Sequence, residues 1–104
     1  MIASNKQIYS IEELKRILIP VFERYGLKKV GLFGSYAHGT AKPKSDIDLL
    51  TYFDETFGLE KYCNFETEIK KTLNKKNDIL DYRCIHEDLK QDILSDEVLI
   101  YESQ

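Results

Sequence analysis

The chain has 104 residues, of which 42% are hydrophobic and 32% are charged, and its formal net charge is −3 at pH 7. These values predict one globular domain over residues 1–104, with a single core, and they exclude a disordered or fibrous chain. The acidic balance argues against direct binding of nucleic acid, which ordinarily requires a basic surface.

Two features bear on the compartment in which the protein works. No run approaches the ~18 consecutive apolar residues of a membrane span, and residues 1–10 lack the apolar core of a signal peptide. Cys63 and Cys84 are far apart and belong to no CxxC or Cys/His cluster, so we expect them to be reduced packing residues. The sequence therefore predicts a cytoplasmic protein without a membrane segment.

The first predicted element is an amphipathic helix over residues 10–25. Ser10 is a typical N-cap, and Glu13 three residues later completes a capping box. Pro20 falls inside the pattern and is expected to kink or break the helix near its last turn, whereas Gly26 is a typical C-terminal stop. The apolar residues that recur at helical steps are Ile11, Leu14, Ile17, Leu18, Val21, Phe22 and Tyr25.

Two short strands follow the helix. Residues 28–34, KKVGLFG, are largely apolar and end at glycine, and residues 46–53, DIDLLTYF, alternate along their length. The segment YAHG between them is compatible with one helical turn, and TAKPK with a loop. Alternation in the second strand places Asp46, Asp48 and Leu50 on one face.

The second half of the chain alternates helix and strand. Apolar residues at helical steps predict a second helix over 58–75, DILDYRCI predicts a third strand over 78–85, and residues 86–97 favour a short third helix. The final VLIYES suits either a terminal strand or a docked tail. This order predicts an α/β (α+β) domain, a small mixed sheet flanked by helices. The residues expected to pack the third helix are Leu89, Ile93 and Leu94.

Local lysine clusters do not change the acidic balance. Lys70 and Lys71, and again Lys75 and Lys76, fall near the end of the second helix. A run of like charges usually marks a solvated face. We therefore interpret both pairs as the solvated end of that helix.

Asp46 and Asp48 form the first candidate site. Two carboxylates that project side by side raise each other's pKa and destabilise the fold unless a cation lies between them. Mg²⁺ suits such a pair, and it takes its remaining ligands from water and substrate phosphates. The alternative is a solvated acidic strand end, since D-x-D is common.

Gly34 and Ser35 form the second candidate site. Gly34 ends an apolar strand and lets the chain turn with its backbone N–H groups exposed. Ser35 is a suitable N-cap for the following helical turn, and its hydroxyl can donate to a phosphate oxygen. Such a turn can bind an anion, although an ordinary turn would have the same sequence.

Together the two candidate sites suit a metal-bound nucleotide, with its phosphates at the turn and Mg²⁺ beside the aspartates. A third carboxylate on the next strand would complete a two-metal site. Asp78 and Asp81 both belong to that strand and, three residues apart, point to opposite faces, so one of them can join. We favour Asp78, and Asp81 is the alternative.

The spacing Gly34-Ser35, ten residues, then Asp46-Ile47-Asp48 resembles the G-S-x10-D-x-D signature of the polymerase-β-like nucleotidyltransferases. The surrounding VGLFGSYAHGTAKPKSDIDLL and the later NDILDYRCI and DLKQDIL resemble the minimal nucleotidyltransferase branch, so the likeness spans nearly the whole chain. The resemblance implies the fold of that superfamily, Mg-ATP as donor, and transfer of a nucleotidyl group to a hydroxyl with release of pyrophosphate.

The resemblance also implies residue roles and a partner. It assigns phosphate binding to Gly34 and Ser35, and it assigns the binding of two Mg²⁺ ions to Asp46 and Asp48. Asp78 becomes the third metal-binding carboxylate and the candidate general base. Many members of the branch resemble antitoxins that silence a HEPN-domain ribonuclease toxin by adenylylating a tyrosine near its active site.

One position departs from the family pattern. Many relatives carry arginine where this chain has His38, near the incoming phosphates. A protonated histidine can donate to a phosphate, and the alternative is an exposed loop histidine without a role. Lys42 or Lys44 in the following loop can supply a permanent positive charge instead.

The acceptor is inferred from the size of the chain and from the resemblance. A domain of 104 residues leaves little room for a separate substrate domain, and larger relatives that modify aminoglycosides or tRNA ends carry additional domains. A partner protein with its own acceptor hydroxyl is therefore the leading interpretation. The alternatives are a small-molecule acceptor handled with a second subunit, and a non-catalytic module that silences the toxin by covering it.

Overall fold

The structure, a computed structural model of the chain, describes residues 7–85 and 87–103, without the side chains at 89, 90 and 92–94. Its elements in chain order are α1 Ile11–Arg24, β1 Lys29–Phe33, α2 Gly34–His38, β2 Ile47–Thr51, α3 Leu59–Leu73, β3 Asn77–Asp81, a 3₁₀ turn Tyr82–Cys84, α4 Glu87–Asp96 and β4 Val98–Glu102. No helix within these described ranges is long and apolar enough to cross a membrane.

The four strands form one mixed sheet in the order β3-β2-β1-β4. β1 runs antiparallel to β2 and β4, whereas β2 and β3 are parallel. Parallel neighbours require a crossover connection, and α3 supplies it between β2 and β3. The predicted small mixed sheet flanked by helices is confirmed, and the final VLIYES segment contains strand β4.

Both ends of α1 follow from residues close to them in the chain. The Glu13 N–H donates to Ser10 Oγ at 3.1 Å and the Ser10 N–H donates to Glu13 Oε1 at 3.0 Å, so the predicted capping box is present. At the other end the Gly26 N–H donates to the Glu23 carbonyl, and the next N–H donates to the Phe22 carbonyl. This pair of bonds is the Schellman arrangement that ends many helices.

Pro20 does not break α1. The helix continues through Pro20 to Arg24, although an interior proline costs a helix about 3 kcal/mol. Leu18, Val21 and Phe22 on either side of it are buried, and burial of each contributes about 1.5–3 kcal/mol. The apolar face holds both halves of the helix against the core. The predicted break is therefore wrong, and the alternative of a kink stays a prediction.

The core lies between one face of the sheet and the helices α1 and α3. Phe65 of α3 is fully buried, and the centroid of its ring lies 5.3–6.4 Å from those of Phe22, Tyr25, Phe53 and Phe57. Because successive side chains of a strand point to opposite faces, the residues between the core positions point to the other face of the sheet. The strand residues in the core are Val30, Leu32, Ile47, Leu49, Ile79 and Ile100.

All three strands predicted with bounds are shorter than expected, β1 by one residue at each end. β2 begins at Ile47, so Asp46 lies in the loop before the strand and not on its face. β3 ends at Asp81, where the side chain accepts a hydrogen bond from the Arg83 backbone N–H at 2.8 Å and the chain enters the 3₁₀ turn. A side chain that bonds to the backbone two residues later competes with the sheet in this way.

The two later helices lie where the sequence predicted them. α3 and α4 begin and end within two residues of the predicted limits. The expected packing of Leu89, Ile93 and Leu94 lies outside the described side chains. Cys63 and Cys84 are both free and exposed, so the predicted packing role of the cysteines is wrong. Neither the outer side of α3 nor the 3₁₀ turn faces the core.

Replacing Ser10 by alanine is expected to lower the free energy of unfolding by about 1 kcal/mol. The substitution removes the oxygen that accepts from the Glu13 N–H and leaves the core unchanged. Urea unfolding followed by circular dichroism measures the effect. Ser103→Ala, at an exposed position after β4, is the control and should change stability by less than about 0.5 kcal/mol. Equal stabilities of the two variants would contradict the role of the cap.

Candidate active site

The candidate site lies at the end of the sheet where β1 ends and where β2 and β3 begin. Phe33, the last residue of β1, pairs with Asp48 on β2, and Asp48 pairs with Asp78 on β3. Residues in register on neighbouring strands point to the same face, so Asp48 and Asp78 lie side by side on the face opposite the core. Gly34 follows Phe33 directly, which brings the Gly-Ser turn to the same end of the sheet.

Gly34 approaches the Asp48 carboxylate more closely than a residue with a side chain can. Its φ is +72°, in the left-handed region that favours glycine. A Cβ built on Gly34 would overlap Oδ2 of Asp48 and would lie 3.1 Å from its Cγ. Glycine at this position therefore permits both the backbone turn and the place that the Asp48 carboxylate occupies.

Ser35 is the second residue of α2 and not its N-cap. The N-cap is Phe33, which makes no side-chain hydrogen bond to the helix. The predicted capping role of Ser35 is wrong because the helix already begins at Gly34. The half-buried Ser35 lies in the first turn of α2, and its carbonyl accepts from the Thr40 N–H at 2.9 Å, where α2 ends.

The half-buried Asp48 carboxylate is strongly influenced by its neighbours. Burial, followed by the negative charges of Asp78 and Asp46, raises its pKa to about 6. Asp46 and Asp78 are themselves exposed. Asp46 and Asp78 therefore each lie close enough to repel the negative charge of Asp48, although Asp46 comes from the loop before β2. A cation at this place would relieve the repulsion.

This set of donors fits a hard divalent cation. The carboxylates of Asp46, Asp48 and Asp78 offer oxygen atoms, the ligands that Mg²⁺ prefers. As the side chains stand, no group of three or more acidic, histidine or cysteine residues in the described part of the chain is arranged to hold a metal ion by itself. Mg²⁺ does not need such a group, because it usually binds one or two carboxylates together with water and phosphates.

Asp81 is engaged elsewhere. Its carboxylate accepts from the Arg83 backbone N–H at 2.8 Å and forms an ion pair with the guanidinium group at 2.9 Å. In the sheet register Asp81 pairs with Thr51, a buried residue at the other end of β2. Of the two candidates for a third carboxylate, the structure therefore brings Asp78 and not Asp81 beside Asp48.

His38, the residue that departs from the family pattern, lies at the far end of α2. Its Nε2 is 3.3 Å from Oδ2 of Asp96, the last residue of α4, and both side chains are about half exposed. When protonated, His38 therefore forms an ion pair that links α2 to α4. Lys42 and Lys44 are exposed in the loop that follows α2.

Lys75 is the residue near the site that sequence reasoning missed. Only 5% of it is exposed, and its Nζ donates to the Pro43 carbonyl at 2.7 Å. The predicted solvated helix end is therefore wrong for Lys75, although it holds for its neighbour Lys76, which is exposed. The string NKKN contains no signal that separates the two lysines, because the difference lies in the loop that packs on one of them.

Replacing Gly34 by alanine is expected to displace the Asp48 carboxylate and so to weaken metal binding. The matched control is Gly26→Ala, which has a similar φ of +68° but open space around its Cβ. Both variants should lose about 1–2 kcal/mol of stability to left-handed backbone strain. Mn²⁺ titration should then show weaker binding for Gly34→Ala alone, and equal affinities would contradict the close approach.

Replacing Asp48 by asparagine is expected to stabilise the metal-free protein at neutral pH by about 1–2 kcal/mol. A carboxyl group whose pKa rises from 3.8 to about 6 on folding stabilises the fold fully below the lower value. That stabilisation is lost as the pH rises through the higher value. Asparagine does not ionise and avoids the loss.

Urea unfolding in EDTA tests this expectation. The gain from Asp48→Asn should grow from about pH 3.8 to about pH 6 and then level off. A gain that does not depend on pH would contradict it.

Comparison with known proteins identifies the family of the chain. Residues 16–104 match the family model described as "Polymerase beta, Nucleotidyltransferase". A candidate protein adenylyltransferase of Methanocaldococcus jannaschii is 39% identical over 89 residues, which cover 86% of this chain and 96% of that protein. The protein adenylyltransferase MntA of Thermococcus cleftensis is 30% identical over 95 residues, which cover 88% of this chain and 96% of that protein.

Solved structures share the fold. A candidate minimal nucleotidyltransferase aligns with a TM-score of 0.74 and 27% identity, over 86% of this chain and 95% of that chain. A toxin–antitoxin crystal structure with AMP-PNP gives 0.72 and 23%, over 86% and 74%. A complex of a tri-AMPylated Shewanella oneidensis HEPN toxin with its MNT antitoxin gives 0.67 and 19%, over 90% and 74%. The family match across most of the chain and the two sequence relatives show that this protein belongs to the polymerase-β nucleotidyltransferase family.

Proposed function

We propose that the protein is a Mg²⁺-dependent nucleotidyltransferase that moves AMP from ATP to a hydroxyl of a partner HEPN toxin, a tyrosine hydroxyl in particular, and so acts as its antitoxin. The observation that carries the proposal is that Gly34, Asp48 and Asp78 lie together at one end of the sheet. The relatives named as protein adenylyltransferases support it. AMP-PNP in one structural neighbour and the HEPN toxin in another support the donor and the partner.

The site divides into a metal-binding part and a phosphate-binding part. Asp46, Asp48 and Asp78 would hold two Mg²⁺ ions, which when bound supply positive charge to the triphosphate and to the acceptor oxygen. The first N–H groups of α2 lie beside the Asp48 carboxylate because Gly34 has no side chain. Together with the Ser35 hydroxyl, they would donate to phosphate oxygens.

The reaction exchanges one phosphorus–oxygen bond for another. The acceptor hydroxyl oxygen attacks the α-phosphorus, the bond to the oxygen that bridges the α- and β-phosphates breaks, and pyrophosphate leaves with the electron pair. Asp78 accepts the hydroxyl proton, a role that suits an exposed carboxylate on an edge strand. Asp48 is less exposed and lies against Gly34, which suits binding and not proton transfer.

The position of the carboxylates favours a large acceptor. Asp46 and Asp78 are exposed, and within the described part of the chain β3 has no strand on its outer side. A folded partner can therefore approach Asp78 from the edge of the sheet. The net charge of −3 disfavours RNA as the acceptor, because RNA would be repelled.

The experiment combines the protein with Mg²⁺, the protein encoded by the neighbouring gene and ATP labelled at the α-phosphate. We expect label on the partner from α-labelled ATP and none from γ-labelled ATP, since the γ-phosphate leaves in pyrophosphate. Asp48→Asn should lower transfer by about 10²–10³-fold, as expected for loss of a group that organises charge at the reacting centre. Asp54→Asn, beyond the opposite end of β2, is the matched control and should transfer at close to the wild-type rate.

Other outcomes separate the alternatives. If the complex forms and both the wild type and Asp48→Asn silence the partner without any label, the protein is a non-catalytic binding module. Label on a small molecule, dependent on a second subunit, would replace the protein acceptor. Peptide mapping of the labelled partner then shows whether the modified residue is tyrosine.

A further inference from the structure

Lys75 is almost wholly buried between the connections that lead into β2 and β3. Only 5% of the residue is exposed, and its Nζ donates to the Pro43 carbonyl at 2.7 Å. Removing an ammonium group from water is costly unless polar partners replace the water. An apolar side chain would often fill such a space at lower cost, so the ammonium group itself requires an explanation.

The bond from Lys75 ends on a turn that has hydrogen bonds of its own. The Ser45 N–H donates to the Lys42 carbonyl at 2.9 Å, and the Lys42 N–H donates to Ser45 Oγ at 2.8 Å. Asp46 follows this turn directly. Because the turn is closed internally, holding the Pro43 carbonyl restrains the whole turn and the point at which Asp46 leaves it.

A second hydrogen bond joins the start of β2 to the connection between α3 and β3. The Ile47 N–H, directly after Asp46, donates to the Lys76 carbonyl at 3.0 Å. Lys75 and Lys76 in turn come shortly before Asp78 in the chain. The two bonds therefore tie the segment that carries Asp46 to the segment that carries Asp78.

The charge of Lys75 also acts on the site. Burial lowers the pKa of the Lys75 ammonium group, and the negative charge of Asp46 opposes that change. The ammonium group therefore lies within electrostatic range of Asp46. It offsets part of the negative charge that Asp46 adds beside Asp48.

We propose that Lys75 is a positioning residue for Asp46. Its ammonium group holds the Pro43 turn against the connection between α3 and β3, and the turn sets where Asp46 lies relative to the other two carboxylates. Lys75 does not itself touch the reacting groups. Its effect on AMP transfer rests on the proposed function, whereas its effect on the metal-free site does not.

Lys75→Met tests the proposal, because it keeps an unbranched buried side chain of similar length and removes both the charge and the bond. In the metal-free protein, amide exchange at Ser45 and Ile47 should become about tenfold faster, with the free energy of unfolding within about 1 kcal/mol of wild type. Mn²⁺ affinity, measured from the electron paramagnetic resonance signal of the free ion, should fall about 10–100-fold.

Two variants serve as controls. Lys71→Met removes the same charge from an exposed position on α3 and should change neither exchange nor Mn²⁺ affinity. Lys75→Arg keeps a charge and a donor and should retain Mn²⁺ affinity to within about threefold, well short of the loss expected for an outer-shell deletion. If Lys75→Met does not yield folded protein, Lys75→Gln replaces it in both measurements.

Wild-type exchange and wild-type Mn²⁺ affinity in the uncharged variant would overturn the proposal. Tighter Mn²⁺ binding would also overturn it, since Lys75 would then act on the site only as a repelling charge. For transfer, kcat should fall while the KM for ATP stays near its wild-type value. If the wild type itself transfers no AMP, the proposed function fails, and the exchange and Mn²⁺ results still decide the role of Lys75.

Discussion

The parallel pairing of β2 with β3 is the constraint on which the candidate site depends. It sets Asp48 directly beside Asp78, so backbone hydrogen bonds determine that two like charges are neighbours. Burial, together with their repulsion, opposes ionisation of Asp48, and the fold therefore carries an electrostatic cost at neutral pH. Perturbed carboxylates of this kind concentrate at functional sites because binding or chemistry there compensates for lost stability.

The other parts of the molecule keep this register in spite of the repulsion. α3 returns the chain to the end of the sheet where β2 begins, so that β3 can run parallel to it. The same helix buries Phe65 among four aromatic rings. Burial of each large apolar side chain there contributes about 1.5–3 kcal/mol. The sum of these contributions exceeds the electrostatic cost of the neighbouring carboxylates. Gly34 leaves room for Asp48 on one side, and Lys75 brings a positive charge toward Asp46 on the other. The main core thus lies on one face of the sheet, and Asp48 and Asp78 lie on the other.

What the sequence predicted depends on how far apart the interacting residues lie in the chain. The capping box at Ser10 and the face of β3 that carries Asp78 follow from short-range patterns, and both were predictable, as was the order of the main elements. The burial of Lys75 was not, because NKKN contains no trace of the distant turn that packs on it. Asp46 was placed on the strand for the same reason. The point where β2 begins is set by a bond to another segment, which no local pattern reveals.

The edge position of β3 has a consequence for the integrity of the candidate site. Among the described strands, β3 has β2 as its one neighbour, and edge strands open more readily than central ones because fewer interactions must be broken. Detachment of β3 would carry Asp78 away while the antiparallel pair with Gly34 and Asp48 stayed intact. The integrity of the three-carboxylate site thus depends on an edge strand, whereas its glycine turn depends on the interior of the sheet.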